Sequence, residues 1–103
     1  MIRVIIEREI AEGLEQYYHA AVSDLLKAMT DAPGYLSGES LVEISRPNHY
    51  VVLTRWANEE AWQRWFKSPQ RQQFLDAIRP FMLNDEKFML LRQRHYNDSE
   101  NPV

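Results

Sequence analysis

The stretch from His49 to Trp56, His-Tyr-Val-Val-Leu-Thr-Arg-Trp, constrains the fold of this 103-residue chain more than any other. Successive side chains of an extended strand point to opposite faces. Tyr50, Val52, Thr54 and Trp56 therefore share one face, and Val51 and Leu53 share the other. Apolar groups project both ways, so this strand needs cover on both sides. Arg46-Pro47-Asn48 before it reads as a turn, and Tyr35 to Ser45 as the preceding strand. The short link between them makes an antiparallel hairpin. Gly38 inside the earlier strand marks a bulge or a close backbone approach.

The remaining elements follow from periodicity and punctuation. Ile2 to Glu9 is rich in β-branched residues and reads as a strand buried on both faces. Leu14, Tyr18, Ala21, Val22, Leu25, Leu26 and Met29 place one apolar stripe along a helix, which Asp31-Ala32-Pro33-Gly34 ends. Asn58 is the expected N-cap of a short helix carrying Ala61, Trp62, Trp65 and Phe66, with Glu59 and Glu60 in its first turn. Ser68-Pro69 starts a further helix whose apolar side is Phe74, Ala77, Ile78 and Phe81, with Pro80 bending or ending it. Glu86 to His95 supplies the last strand.

This order predicts an α+β, ferredoxin-like βαββαβ domain: a four-stranded antiparallel sheet with both helices on one face. It is expected to span residues 1–96, with residues 97–103 as a disordered tail. The opposite sheet face is apolar, and an exposed patch of that size marks an interface. Sheet-on-sheet homodimerisation, giving a dimeric α+β barrel, is the simplest way to cover it.

Charge and cysteine usage remove several functions. A net charge of -3 and interspersed signs provide no basic field for nucleic acid or an anionic membrane surface. Without cysteine there is no disulfide framework, thiolate nucleophile or cysteine metal site. No apolar run is long enough to span a bilayer, and the expected location is the cytoplasm. The His residues lack metal-ligand spacing, and there is no phosphate loop, dinucleotide fingerprint or hydrolytic triad. Neither a metal nor a cofactor is expected.

Three ordered landmarks carry a family resemblance. Pro33-Gly34-Tyr35, then Tyr50-Val51-Val52-Leu53-Thr54-Arg55-Trp56 with Glu60-Ala61-Trp62, and Trp65-Phe66-Lys67-Ser68 resemble the "PG[YF]", "W-x-[SN]-x-E-A" and "W-x-x-S" motifs of the antibiotic-biosynthesis-monooxygenase family. The family fold hosts several chemistries, so each branch is compared residue by residue. The haem-degrading branch implies an Asn that falls at Ile6 or Glu7, a Trp that matches Trp65, and an iron-binding His that falls near Phe74 or Leu75. The helix at 69–82 has no His, so haem binding is disfavoured. The cofactor-independent, quinone-forming branch matches at Trp56 and Trp62; its Asn falls at Val52, and its Arg on the later helix has no clear counterpart. A third branch, acting on small signalling metabolites, has no decisive match.

The resemblance thus implies a cofactor-independent monooxygenase that oxidises a small aromatic or quinol with dioxygen, working as a homodimer with one pocket per subunit. Trp56, Trp62, Trp65, Phe74, Tyr50 and Val52 are the expected pocket residues. The Trp56 indole N–H or Arg55 is the expected anion-stabilising donor, and His19 the general base if it points inward. Rival readings are a non-catalytic small-molecule-binding or structural homodimer, and a haem-binding relative. His49 is expected as a solvent-facing turn residue and His95 at a surface or dimer edge. Glu39 and Glu43 are expected to share a face with Tyr35 and Leu41, with Arg55 and Arg92 as ion-pair partners.

Overall fold

The computed structural model describes residues 1–94. Its elements are β1 (Ile2–Glu9), α1 (Glu15–Met29), β2 (Tyr35–Glu43), β3 (Arg46–Trp56), α2 (Glu59–Phe66), α3 (Pro69–Ile78), a 3-10 turn (Arg79–Phe81) and β4 (Lys87–Arg92). The strands form one antiparallel sheet in the order β2-β3-β1-β4. This is the expected βαββαβ arrangement. No helix among the described residues is long and apolar enough to cross a membrane.

Register assigns the faces, since residues directly opposite one another in antiparallel strands share a face. Ile2, Val4, Ile6 and Arg8 of β1 pair with Trp56, Thr54, Val52 and Tyr50 of β3, and all eight are buried under the helices. Tyr18, Val22, Leu25 and Met29 of α1, Ala61, Trp62 and Trp65 of α2, and Phe74 and Ile78 of α3 close that core. Asn58 caps α2 by accepting from the Ala61 amide, and Ser68 caps α3 by accepting from the Arg71 amide. The α3 stripe departs from expectation at two places. Ala77 is exposed, and Arg71, one turn before Phe74, takes the inward position.

The hairpin turn also differs. It lies at Ile44-Ser45, and Arg46-Pro47-Asn48 belongs to β3. Pairing slips between Val42 and Glu43, and Asn48 is held by Ile10, just past β1: its carbonyl accepts from the Ile10 amide and its side chain donates to the Ile10 carbonyl. His49 is consequently no turn residue. Its ring lies between Glu43 at 2.7 Å and Glu7 at 3.2 Å. Hydrogen bonds from Ser45, Arg46 and His49 hold the Glu43 carboxyl at about 2. A group so depressed stabilises the hairpin above the ordinary carboxyl range and loses that effect as pH falls toward 2. An NMR acid titration of the Glu43 side-chain carbon should show that low midpoint.

A second slip, between Tyr35 and Ser37, turns Tyr35 to the helix side, while Glu39 and Leu41 stay on the outer face opposite Leu53 and Val51. The Tyr35 hydroxyl then lies over Gly38, where a Cβ would stand 2.7 Å from it. Gly38 therefore marks a close approach next to a bulge. Arg92 pairs with Ile2 and so faces the helix side, and Arg55 contacts the Met1 sulfur. Neither is an ion-pair partner of Glu39 or Glu43.

Gly34 links α1 to β2 with φ of +85°, and a Cβ there would collide with that of Ala61. Gly34→Ala should cost about 2–4 kcal/mol, from the left-handed backbone and the overpacked contact together. Urea unfolding would read the loss.

On the outer face, no helix covers Ile5, Leu41, Val51, Leu53, Met89 and Leu91. Leu41, Met89 and Leu91 are exposed, ringed by Arg3, Glu39 and Arg55.

Candidate functional site

The helix–sheet interior is aromatic at one end and charged at the other. Trp56 is fully buried, edge-on to Trp62 at 5.7 Å and to Tyr35 at 5.4 Å, and stacked near Trp65 at 6.5 Å. Its indole N–H donates to the Thr54 hydroxyl, which in turn donates to the Val4 carbonyl. That N–H is therefore engaged within the sheet, and Arg55 lies on the far face. Trp56 thus spends its donor on Thr54, and Arg55 faces away from the interior. Val52, fully buried two residues before Thr54, adds an apolar wall.

From Trp62 the rings continue through Phe66 and Phe88, which meet each other at 5.5 Å. Here the interior becomes polar. The Arg71 guanidinium lies 4.4 Å from the Phe66 ring centre and 5.4 Å from that of Phe88. Arg8 lies 5.0 Å from the Phe74 ring centre and 5.9 Å from that of Tyr18. Both arginines grip one carboxylate. Arg8 Nε and Nη2 reach Glu86 Oε2 at 2.7 and 2.6 Å, and Arg71 Nη2 reaches Oε1 at 2.5 Å. Arg8 also donates to the Tyr18 hydroxyl at 3.0 Å. The side chains of Arg8, Arg71 and Glu86 are 2–5% exposed.

Two guanidiniums against one carboxylate leave a net positive charge in a place shielded from water. Burial lowers the Arg71 pKa from its ordinary value, and Glu86 opposes that shift. Periodicity alone could have revealed two members of this cluster. Arg8 continues the inward series Ile2, Val4, Ile6, and Arg71 precedes Phe74 and Ile78 by one and two turns. Arg71 thus supplies an inward arginine on the later helix. Nothing in the sequence marks Glu86, because its position depends on an irregular strand junction.

Tyr50 is buried beside Tyr18, with ring centres 4.7 Å apart. Burial first, and then Glu15 and Tyr18, raise its phenol pKa, so it stays protonated. His19 is exposed on α1 and is not turned inward; its ring stands edge-on to Tyr50 at 5.2 Å. Phe74 packs on Arg8, in the region where a haem-degrading relative would need a nitrogen donor. His95 lies outside the described residues.

Clefts among the described residues lie mostly outside this interior. A groove of about 1190 Å³ runs along α2 past Asn58, Gln63, Arg64 and Arg92, and one of about 450 Å³ lies on the outer sheet face between Arg3, Glu39 and Arg55. A cleft of about 180 Å³ between the α1–β2 link and α2 reaches Trp65. A smaller one, about 80 Å³, lies among Glu7, Glu9, Arg46, His49, Asn84 and Lys87 and touches Arg8, with neither Arg71 nor Glu86 in its lining. None of these clefts is lined by Trp56, Trp62, Phe74, Tyr50 or Val52, which pack directly on their neighbours.

The comparisons with known proteins agree with this architecture. A structure described as an antibiotic biosynthesis monooxygenase superposes with a TM-score of 0.85 at 17% identity, covering 92% of this chain and 100% of the other. A point mutant of SnoaB, described as a cofactor-independent oxygenase from Streptomyces nogalater, gives 0.81 at 17% identity and covers 95% and 98%. A conserved protein from Methanosarcina mazei gives 0.85 at 14% identity and covers 90% and 92%. No curated protein matches the sequence. At these identities the superpositions establish the fold. The family follows from the sequence itself, whose residues 1–77 match the antibiotic biosynthesis monooxygenase profile. The chain belongs to the antibiotic biosynthesis monooxygenase family.

Proposed function

We propose that this chain is a cofactor-independent monooxygenase that oxidises an electron-rich phenol or quinol with dioxygen. The observation that carries this reading is the pair of buried guanidiniums set among aromatic faces. Oxidation of such a ring by dioxygen begins with loss of its proton, and the anion then passes an electron to dioxygen. Negative charge develops in both steps. A preorganised positive group in a water-excluded site stabilises it far more than solvent does. For a phenol the balance closes without an external reductant: one oxygen atom enters the ring as a quinone carbonyl, the other leaves as water, and the substrate supplies all the electrons.

In this reading Arg8 and Arg71 hold the oxyanion and Tyr18 donates its hydroxyl proton to it. Trp62, Trp65 and Phe74 wall the ring, with Tyr50, Val52 and Trp56 behind them. His19, exposed on α1, stands outside this interior, and the phenol proton passes to solvent. The interior is packed in this structure, so a ring binds only by displacing a group already there. The outer sheet face supplies the homodimer interface, its apolar centre being ringed by charge as interfaces are.

Dioxygen uptake with a panel of hydroxynaphthalenes and quinols tests the reading. Wild type should consume oxygen, and Arg71→Met should lose at least about 100-fold in kcat/KM. Uptake that is absent from wild type, with a phenol still bound, would assign the chain to the non-catalytic binding proteins. Light scattering should give a dimer; a monomer would contradict the interface.

A further inference from the structure

Glu86 is the one interior anion of the cluster, and it is carried by the least regular part of the sheet. β4 pairs with β1 as far as Lys87 opposite Glu7, and pairing resumes at Met82 opposite Ile10. Four residues, Leu83–Glu86, thus oppose two, Arg8 and Glu9. Leu83, Asn84 and Asp85 are exposed, while the Glu86 side chain is turned in and only 4% exposed. The segment is tied down at one end by the Leu83 amide on the Glu9 carbonyl.

We infer that Glu86 occupies, from within the chain, the place of a carboxylate on the ligand: an aromatic carboxylate binds here by displacing Glu86 from Arg8 and Arg71. This rests on the reading of the helix–sheet interior as the ligand site, and narrows its substrate class. The reason is electrostatic. A neutral phenol that expelled Glu86 would leave two buried guanidiniums uncompensated until its own proton is lost, and so binds more weakly. A ligand carboxylate restores the charge-assisted bonds one for one. The released Glu86 swings out with an exposed bulge and regains water. Phe66, Phe74, Phe88 and Tyr18, already against the two guanidiniums, then present their faces to the ligand ring.

The test compares 1-hydroxy-2-naphthoate with its neutral carboxamide by calorimetric titration. In wild type the carboxylate should bind the more tightly, and hydrogen exchange of the Leu83–Lys87 amides should accelerate on saturation, because the bulge is freed. In Glu86→Gln the internal competitor is gone. The carboxylate should then tighten at least tenfold, while the amide changes less than twofold. Unchanged or slower exchange in the wild-type complex would overturn the inference, and so would equal tightening of both probes. The wild-type exchange measurement decides if Glu86→Gln does not fold. Should both probes bind equally in the interior with the bulge undisturbed, displacement fails and the interior site stands. Should neither bind either protein, both fail.

Discussion

Glu86→Ala is expected to lower the unfolding free energy by about 3–5 kcal/mol, the cost of leaving buried charges without their partner. Both Arg8 and Arg71 lose their carboxylate in this variant, and neither is exposed enough to regain water in place. Chemical denaturation of the single variant measures the loss. A second variant says what the cluster is for. Replacing Arg8 and Arg71 by Met and Glu86 by Leu together removes all three charges, and such substitutions for a buried triad are often neutral or stabilising. The triple variant should therefore be about as stable as wild type yet bind no aromatic carboxylate. If it unfolds like Glu86→Ala, the cluster is needed for the fold itself.

Trp56→Ala should cost about 3–5 kcal/mol, as expected when a fully buried indole leaves a cavity among packed rings. Trp56→Phe separates two roles. It keeps an aromatic ring but removes part of the indole together with the N–H that Thr54 accepts, so about 2 kcal/mol should be lost. Oxygen uptake should survive in Trp56→Phe, because that N–H is already engaged by Thr54. A collapse of turnover at retained stability would make the indole N–H a ligand contact.

The fold was legible because its signals are local. Tyr50 to Trp56 showed a two-sided strand, Leu14 to Met29 one helical stripe, and Asn58 and Ser68-Pro69 the helix starts. Faces were less legible, since a single slipped residue reverses a strand. The slip after Tyr35 separated it from Glu39 and Leu41, and the slip after Val42 moved the turn to Ile44-Ser45. The aromatic half of the site was visible as Trp56, Trp62 and Trp65. The charged half was not. Arg8 closed what read as a strand buried on both faces, although only its alternate residues pack under the helices. Arg71 stood in a helix read for its apolar residues alone. Glu86 reaches them from 78 and 15 positions away, across an irregular junction that no periodicity encodes.

Magnetisation transfer between the ring protons of 1-hydroxy-2-naphthoate and the protein tests most directly whether the helix–sheet interior is the ligand site. An interior site predicts cross-peaks to Tyr18, Phe66, Phe74 and Phe88. Cross-peaks confined to Asn58, Gln63 and Arg64 along the α2 groove, or to Leu53 and Leu91 on the outer sheet face, would contradict it.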